Sequence, residues 1–461
     1  MPQINLLRNT KVFFTTLTKD TVSTAAISPA NTWELQVLGD FSYSQGTEQE
    51  TITLNEAGST PTRGQRSFNT AINPVDWSFG TYVRPYAVTA TTVSATAGTY
   101  SGTVATLTAA GHTLQVGDLI SVSGATPAAY DVTSAYVTAI AGNDVSYVIA
   151  SDPGGPTTVQ PSIVKIARTT APEALLWNAI AGAADLYASS TWTEAASTAV
   201  ASFANSNAHQ LARFALIFKV DNSIYFVENC AVNQADVSFG IDEIASISWT
   251  GQGTELIRLS DTGYVAALQA IQAANTWKST ADFITNKLST VTLTGYNIYT
   301  DGVTSTATQA YTLALTGGQI TISNNIQYLT PEVLGVVNKP IGYYTGTRAI
   351  SGNITAYLKV AAAGDGGTKY ASELLEELTA HSTLAPDNTF KAELKLGAAG
   401  GTFPYVNFSM PAAMLQIPNV EVQDVVSTTI NFTAQASTGT GDTTAFDINE
   451  TNELTVQYVT A

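Results

Sequence analysis

The sequence predicts a mainly β protein with two tandem β-sandwich domains, each carrying a flanking helix, and a smaller β domain inserted into the first. Three observations predict it. Thr, Val, Ile, Tyr and Phe dominate and are broken by Gly, Asn and Asp, which is strand-and-turn chemistry. Several runs alternate apolar and polar residues. The clearest are Asp236 to Ile241, continued by Ile244 to Trp249, and Ser351 to Leu358. Side chains alternate faces along a strand, so each run has one face to bury. Finally, the order of elements in the first half of the chain recurs in the second.

The first half reads as strands at Trp33–Leu54, a polar loop, a strand at Asp76–Pro85, a helix, then strands at Arg213–Val220, Tyr225–Val232 and Asp236–Trp249. The helix is expected over Pro172–Tyr187. Pro172 suits a first helical turn, Thr170 is a possible cap, and Leu175, Leu176, Ala179, Ile180, Ala183 and Leu186 share one face. A second helix, about Gly263 to Trp277, joins the halves. The second half reads as strands at Tyr311–Ile326, a loop, a strand at Ile350–Leu358, a short helix at Ser372–Thr379, then strands at Lys391–Leu396, Tyr405–Pro411 and Glu421–Ala434. Ser372 is the expected cap of that helix, with Glu373 in its first turn and Leu374, Leu375 and Leu378 on its apolar face. Order and spacing match between the halves; residue identity does not, and any long β protein yields some such matching by chance.

One segment breaks the match. Between Tyr86 and Ile166 the first half carries residues with their own strand pattern, at Thr103–Leu107, Leu119–Val122, Tyr136–Ile140 and Val145–Ile149, with turns at Gly117-Asp118 and Gly142-Asn143. It reads as an inserted small β domain. Its ends fall in Thr89–Gly102 and Pro153–Pro161, whose small and polar composition reads as exposed linker. The C-terminal tail closes on an alternating run, Leu454–Val459, able to pair with a neighbouring copy or with its own domain.

Only 12% of the 461 residues are charged, about half the usual ~25% of soluble domains. Surface with so little charge suits burial against other subunits; a Thr- and Ser-rich surface solvated by hydroxyls is the plainer reading. The formal net charge is −17, which disfavours specific binding to phosphate backbones. Cys230, the single cysteine, lies in an apolar strand and reads as a structural thiol, so neither a disulfide nor a thiolate zinc cluster is expected. No leader peptide and no membrane-spanning run are expected. His112, His209 and His381 lie apart, and no zinc, nucleophile-elbow or Walker pattern appears, so no catalytic residue, metal or cofactor is expected. Acids recur at Glu48 with Glu50, Asp242 with Glu243, and Glu373 with Glu376 and Glu377; they read as solvated faces rather than a glycosidase pair.

The loop Asn55–Asn73 is the most unusual segment. It carries Glu56, Gly58, Pro61, Arg63, Gly64, Arg66 and Phe68, and it is long for an idle loop. Two arginines in an acidic protein fit bidentate links to carboxylates of a neighbouring copy. Glu56, Pro61, Arg63, Arg66 and Phe68 are therefore candidate inter-subunit residues. Glu48, Glu50, Asp236, Asp242 and Glu243 are candidate lumen or interface acids.

The blocks Asn5–Thr10, Leu54–Gly58, Pro61–Gly64, Phe68-Asn69 and Asp76–Tyr82 resemble the start of the tandem-domain major tail tube proteins of long-tailed siphophages. Asn233–Val237 through Trp249–Gly251 resembles the end of their first tube domain, and Asn325–Pro331 with Ile354–Leu358 the second. The resemblance spans residues 4–86 and 166–437. It implies a first tube domain over residues 1–86 and 166–260, an outward insert over 87–165, a linker helix over 261–280, a second tube domain over 281–440 and a tail over 441–461. It further implies β-sandwich tube domains whose sheets join side by side into a barrel. Homotrimeric, pseudo-hexameric rings stack into a tube around a tape measure protein, with tail tip and terminator proteins as further partners. Double-stranded DNA passes through without specific binding, and the protein, made in the host cytoplasm, ends in the virion tail. A virion surface adhesion or decoration protein is the alternative; it would form discrete trimers and never tubes.

Overall fold

The computed structural model describes residues 10–460 except 30, 53–64, 183–190, 205–210, 261, 275–282, 296–298, 301–302, 305–308, 335, 362–368, 385–388, 398–403, 418, 422–425 and 437–451. In chain order the strands of the first half are β1 (Thr10–Thr15), β2 (Thr32–Leu35), β3 (Val37–Ile52), β4 (Arg66–Tyr82), β5 (Thr198–Ala204), β6 (Phe214–Val220), β7 (Ser223–Gly240), β8 (Ser246–Gly253) and β9 (Glu255–Leu259). Those of the second half are β10 (Thr290–Gly295), β11 (Gln309–Ser323), β12 (Ala349–Tyr357), β13 (Thr389–Leu396), β14 (Tyr405–Leu415), β15 (Asn419–Glu421), β16 (Ser427–Gln435) and β17 (Asn452–Val459). The helices are α1 (Ala174–Ala181), α2 (Gly263–Ala274) and α3 (Ala371–Leu384). The protein is mainly β, as the composition predicts.

One antiparallel sheet runs through both halves in the order β3–β4–β8–β7–β11–β12–β16. Beyond β16 an eighth position is shared by β15 and the end of β14. The halves meet inside this sheet: β7 of the first pairs with β11 of the second, from Gln234↔Ser323 to Gly240↔Gly317. A second layer covers it in each half, β2–β1–β6–β7–β9 in the first and β11–β10–β13–β14–β17–β5 in the second. Three strands belong to both layers because they bend. In β7 the bend coincides with Asn229, at φ 47°, and a bulge between Val232 and Gln234. The residues before it pair with β6 and β9, and those after it with β8 and β11. A bulge adds twist and re-aims a strand without ending it. This corrects the expected split into strands at Tyr225–Val232 and Asp236–Trp249: one strand covers Ser223–Gly240, and the break comes at the turn before Ser246. The strands expected over Trp33–Leu54 are β2 and β3, divided at Gln36.

The main core lies between the layers and includes Trp77, Trp177, Trp249, Phe203, Phe390 and Phe408. α1 begins two residues later than expected and is closed by Gly182 in the left-handed region at φ 98°. Thr170 does not cap it, being in a short strand paired with Tyr86. Ala183, Leu186 and Tyr187 lie outside the described residues. In α3 the capping group is not Ser372 but the Glu373 carboxylate, which accepts from Tyr370 N and Ala361 N at 3.0 Å each. α2 buries Leu268 and Ile271 against Phe13, Ile217 and Phe226 of the first half's outer layer.

The C-terminal strand answers the question its alternation posed. β17 lies between β14 of the second half and β5 of the first, joining them. Its Tyr458 is buried, donates to Glu173 Oε1 at 2.7 Å and accepts from Trp177 Nε1 at 2.7 Å. Nearby, Arg348 of the second half donates to Glu453 Oε2 at 2.8 Å and to the carbonyls of Ala181 and Ala204, with Phe203 under its guanidinium.

Residues 91–165 form a separate seven-stranded sheet with its own core around Leu107, Ile120, Val122, Tyr130 and Tyr147. A short ribbon, Tyr86–Val88 with Arg168–Thr170, leads into and out of it. Thr89–Gly102 is not linker: it contributes strands at Thr91–Ser94 and Ala97–Ser101. Its Thr, Ser, Ala and Gly side chains are too small to show the apolar alternation on which the linker reading relied.

Candidate functional site

The continuous sheet has one face against the core and one open. Because directly opposed residues share a face, the open face can be read across the register. One row runs Gly80, Ser248, Asp236, Thr321, Ser351 and Thr433. The next runs Tyr82, Ser246, Ser238, Gln319, Asn353 and Asn431, and a third contains Ser42, Ser78, Thr250, Gln234 and Ser323. Hydroxyls and amides thus occupy nearly every position. They bond to each other: Ser42 with Ser78 at 2.8 Å, and Ser238 with Ser246 at 3.1 Å.

One carboxylate, Asp236, stands in these rows and a second, Asp76, in the row beyond, opposite Ser44 and Gln252; the named rows hold no lysine or arginine. Asp236 accepts from Gln234 Nε2 at 2.7 Å and from Thr321 Oγ1 at 2.6 Å, so it ties β7 to β11 across the junction of the halves. Asp76 accepts from Gln252 Nε2 at 2.8 Å. Sequence reasoning missed Asp76, although it occupies a polar position in the alternating run Asp76 to Thr81. The resulting surface is polar, uncharged over most of its area and negative where charged. It offers phosphate oxygens hydroxyl contacts but no ion pair.

The sheet has two open ends. Among the described residues β3 pairs only with β4, and β15 only with β16. The junction inside the chain shows what such an edge can receive. At Gly317 a Cβ would come within 3.0 Å of Phe239 O, and at Gly318 within 2.8 Å of the Phe239 ring, so the preceding strand packs down on glycine. Gly39 occupies the matching place at the bulge of β3, where a Cβ would meet no atom within 4 Å. Glycine weakens a strand unless another backbone approaches closely, and at Gly39 that approach is open.

The candidate acids and loop residues fall in three separate places. Glu48, Glu50, Arg66 and Phe68 lie on the β3–β4 hairpin, exposed on both faces, with Glu50 opposite Phe68 and the Arg66 guanidinium 5.6 Å from that ring. Asp242 and Glu243 are exposed in the turn between β7 and β8, at the opposite end of the sheet. Only Asp236 lies on the open polar face. Glu56, Pro61 and Arg63 lie outside the described residues. Cys230 is fully buried, with its thiol against Val227 O, and burial pushes its ionisation well above the ordinary value. No helix among the described residues is long and apolar enough to cross a membrane.

A two-half molecule with one shared sheet, a polar face and unfinished edges invites comparison with known proteins. The tail tube protein pb6 of Escherichia phage T5 is 26% identical over 432 residues, which is 94% of this chain and 72% of the relative. The chain resembles the tail tube proteins of siphophages. No protein-family model matches it. The similarity extends through both halves and the insert, so it concerns the whole arrangement and not one sandwich alone.

Proposed function

We propose that the protein is the major tail tube subunit of a long-tailed phage, closing with its copies into rings that stack into a conduit for DNA. The observation that carries this reading is the continuous sheet: both halves donate strands to one register, and the last strands and the first remain open for the next copy. Closure by rotation, with the β14–β15 edge of one copy meeting β3 of the next, repeats the β7–β11 junction between molecules. Closing a barrel removes edges that would otherwise pair without control. Three chains present six half-repeats and roughly 24 strands, and at ~4.8 Å between strands the barrel is on the order of 37 Å across before tilt. That leaves an open channel lined by the polar face, since barrels of far fewer strands already enclose water.

The finer assignments follow from this placement. Asp236 and Asp76 line the channel and repel phosphate. The β3–β4 hairpin, with Glu48, Glu50, Arg66 and Phe68, reaches into a neighbouring copy, because a two-stranded ribbon exposed on both faces is marginal alone. The insert projects outward, away from the channel. Tape measure, tip and terminator proteins are the expected partners in the virion tail, and the role is structural rather than catalytic.

The test is Gly39→Val. Within one copy the added side chain has open space, so the variant folds with an unchanged circular dichroism spectrum. It is expected to stay monomeric in analytical ultracentrifugation under conditions where the wild type gives rings or tubes by negative-stain microscopy. Normal rings from Gly39→Val, or a wild type that never assembles, would overturn the reading.

A further inference from the structure

We infer that β17 is a proton-controlled clasp between the two halves, seated while the Glu173 carboxyl carries its proton and released when that carboxyl ionises. The inference stands on this joint by itself and does not need the tube reading. β17 lies between β5 of the first half and β14 of the second, with Leu454, Val456 and Tyr458 turned into the core. Among the described residues no other strand joins those two. On its other side β5 has the short strand Trp192–Glu194, so without β17 it is paired with that strand alone. The chain reaches β17 from β16 through residues 436–451, a connection too long to fix it as a tight turn would.

The catch lies at one end of the strand. Tyr458 donates to Glu173 Oε1 and accepts from Trp177 Nε1, at 2.7 Å each. Thr460 N donates to Ser197 O at 3.1 Å, and the Thr460 hydroxyl pairs with that of Thr169. Glu173 is 1% exposed, and its Oε2 is buried without a hydrogen bond. A neutral carboxyl in that place forgoes a hydrogen bond; an ionised one holds a charge out of water, which costs far more. Arg84, itself buried with its guanidinium over the Phe283 ring, is the cation that acts on it. Arg168, on the strand leading out of the insert, is paired with Glu194 at 2.9 Å, and Arg348 with Glu453 of β17 at 2.8 Å, so neither is a spare counter-charge. α1 and β5 carry no charged residue, and β17 carries only Glu453. Burial outweighs Arg84 and the Tyr458 hydroxyl, and the carboxyl ionises at about 7.

Trp177 lies on the same helix as the carboxyl's hydrogen-bonding partner requires, and Leu176, Ala179 and Ile180 fix that helix in the main core. Tyr458 comes from a different element. Withdrawing β17 therefore uncovers Glu173 without moving α1. Ionisation favours the released strand, where the carboxylate regains water, and protonation favours the seated one. The proton-linked hold is complete below the ordinary value of 4.5 and is lost as pH rises through about 7. Release opens the second layer while the continuous sheet keeps its β7–β11 register.

Hydrogen exchange on the full-length chain tests this, with each rate divided by the intrinsic rate at the same pH. From pH 5.5 to 8 the opening of β17 should increase about thirtyfold, for a carboxyl that ionises at about 7 when covered and at 4.5 when exposed. At pH 8, β7 should remain about tenfold or more better protected than β17, because the opening is local. Glu173→Gln should abolish the increase. Tyr458→Phe keeps the ring beside Trp192 and removes the hydroxyl that lowers Glu173, so its increase should level off at a higher pH than in the wild type. A β17 whose opening ignores pH, an equal increase in Glu173→Gln, or β7 and β17 opening together would each overturn the inference. So would a Tyr458→Phe profile that levels off at the wild-type pH or below.

Discussion

Replacing Glu173 by glutamine should stabilise the protein above neutral pH and flatten its response to acid. Glu173 is fully buried at the start of α1, and burial raises its ionisation from 4.5 to about 7, against the lowering effects of the Tyr458 hydroxyl, backbone hydrogen bonds and the Arg84 charge. Its Oε1 accepts from Tyr458, whereas its Oε2 has no hydrogen-bond partner. A carboxylate here is therefore half-solvated by protein and unsolvated by water. The native state prefers the protonated acid, while the unfolded chain ionises near its ordinary value. Stability is complete below about pH 4.5 and falls as pH rises toward 7, where both states are ionised. The fall corresponds to about 3 kcal/mol at most, from 1.36 kcal/mol per pH unit of difference between the two states. Glu173→Gln keeps an oxygen for Tyr458 and removes the charge. Chemical denaturation from pH 4.5 to 8 checks it: the wild type should lose stability across the window and the variant should not. A wild-type profile flat over that range, or a variant less stable than wild type at pH 8, would refute the account of Glu173.

The other predictions concern the joints of the molecule. Arg348→Met should cost about 3 kcal/mol by leaving Glu453 and two helix- and strand-end carbonyls without their donor. Hydrogen exchange should then speed up first in β17, since that strand carries Glu453. Gly318→Val should cost about 3 kcal/mol or more, because its Cβ would collide with Asn353 O and the Phe239 ring. The expected signature is a lower midpoint in urea with easier proteolysis between the halves; an unchanged midpoint would mean that the β7–β11 junction is loosely packed.

Much of the fold is visible in the sequence, and the reason is side-chain size. Trp77, Phe79, Trp249 and Ile354 alternate with small polar residues, so their strands declare a buried and an open face. The helix carrying Trp177 declares itself by periodicity in the same way. Where side chains are small, as at Thr91–Ser101, two strands read as linker. Where a strand bends at a bulge, as in β7, a continuous element reads as two. The pairing of β7 with β11 could not be read at all. Both strands show their buried faces, but which edge meets which depends on backbone fit at Gly317 and Gly318. The polar face was half visible. Asp236 belongs to it and Asp242 and Glu243 do not, because the alternation that carries Asp236 ends in a turn before the latter two are reached.

In the ring of three copies proposed above, carrying two halves in one chain would change the thermodynamics of closure. Each association step loses translational and rotational freedom, at an estimated cost of several kcal/mol or more. Six separate half-repeats would meet that cost five times in closing one ring. Three fused pairs would meet it twice, because the β7–β11 junction forms during folding. Fusion also frees the two kinds of junction to diverge. The internal one can be packed on Gly317 and Gly318, sealed by Asp236 with Thr321, and locked from behind by β17, Tyr458 and Arg348. The proposed junction at Gly39 has no such lock among the described residues. In the proposed assembly it would form only between copies and not early, so an edge shaped for a neighbour yet unsealed would suit controlled assembly. In the proposed ring, a locked inner joint and an open outer one would be the physical gain from two unlike halves in one chain.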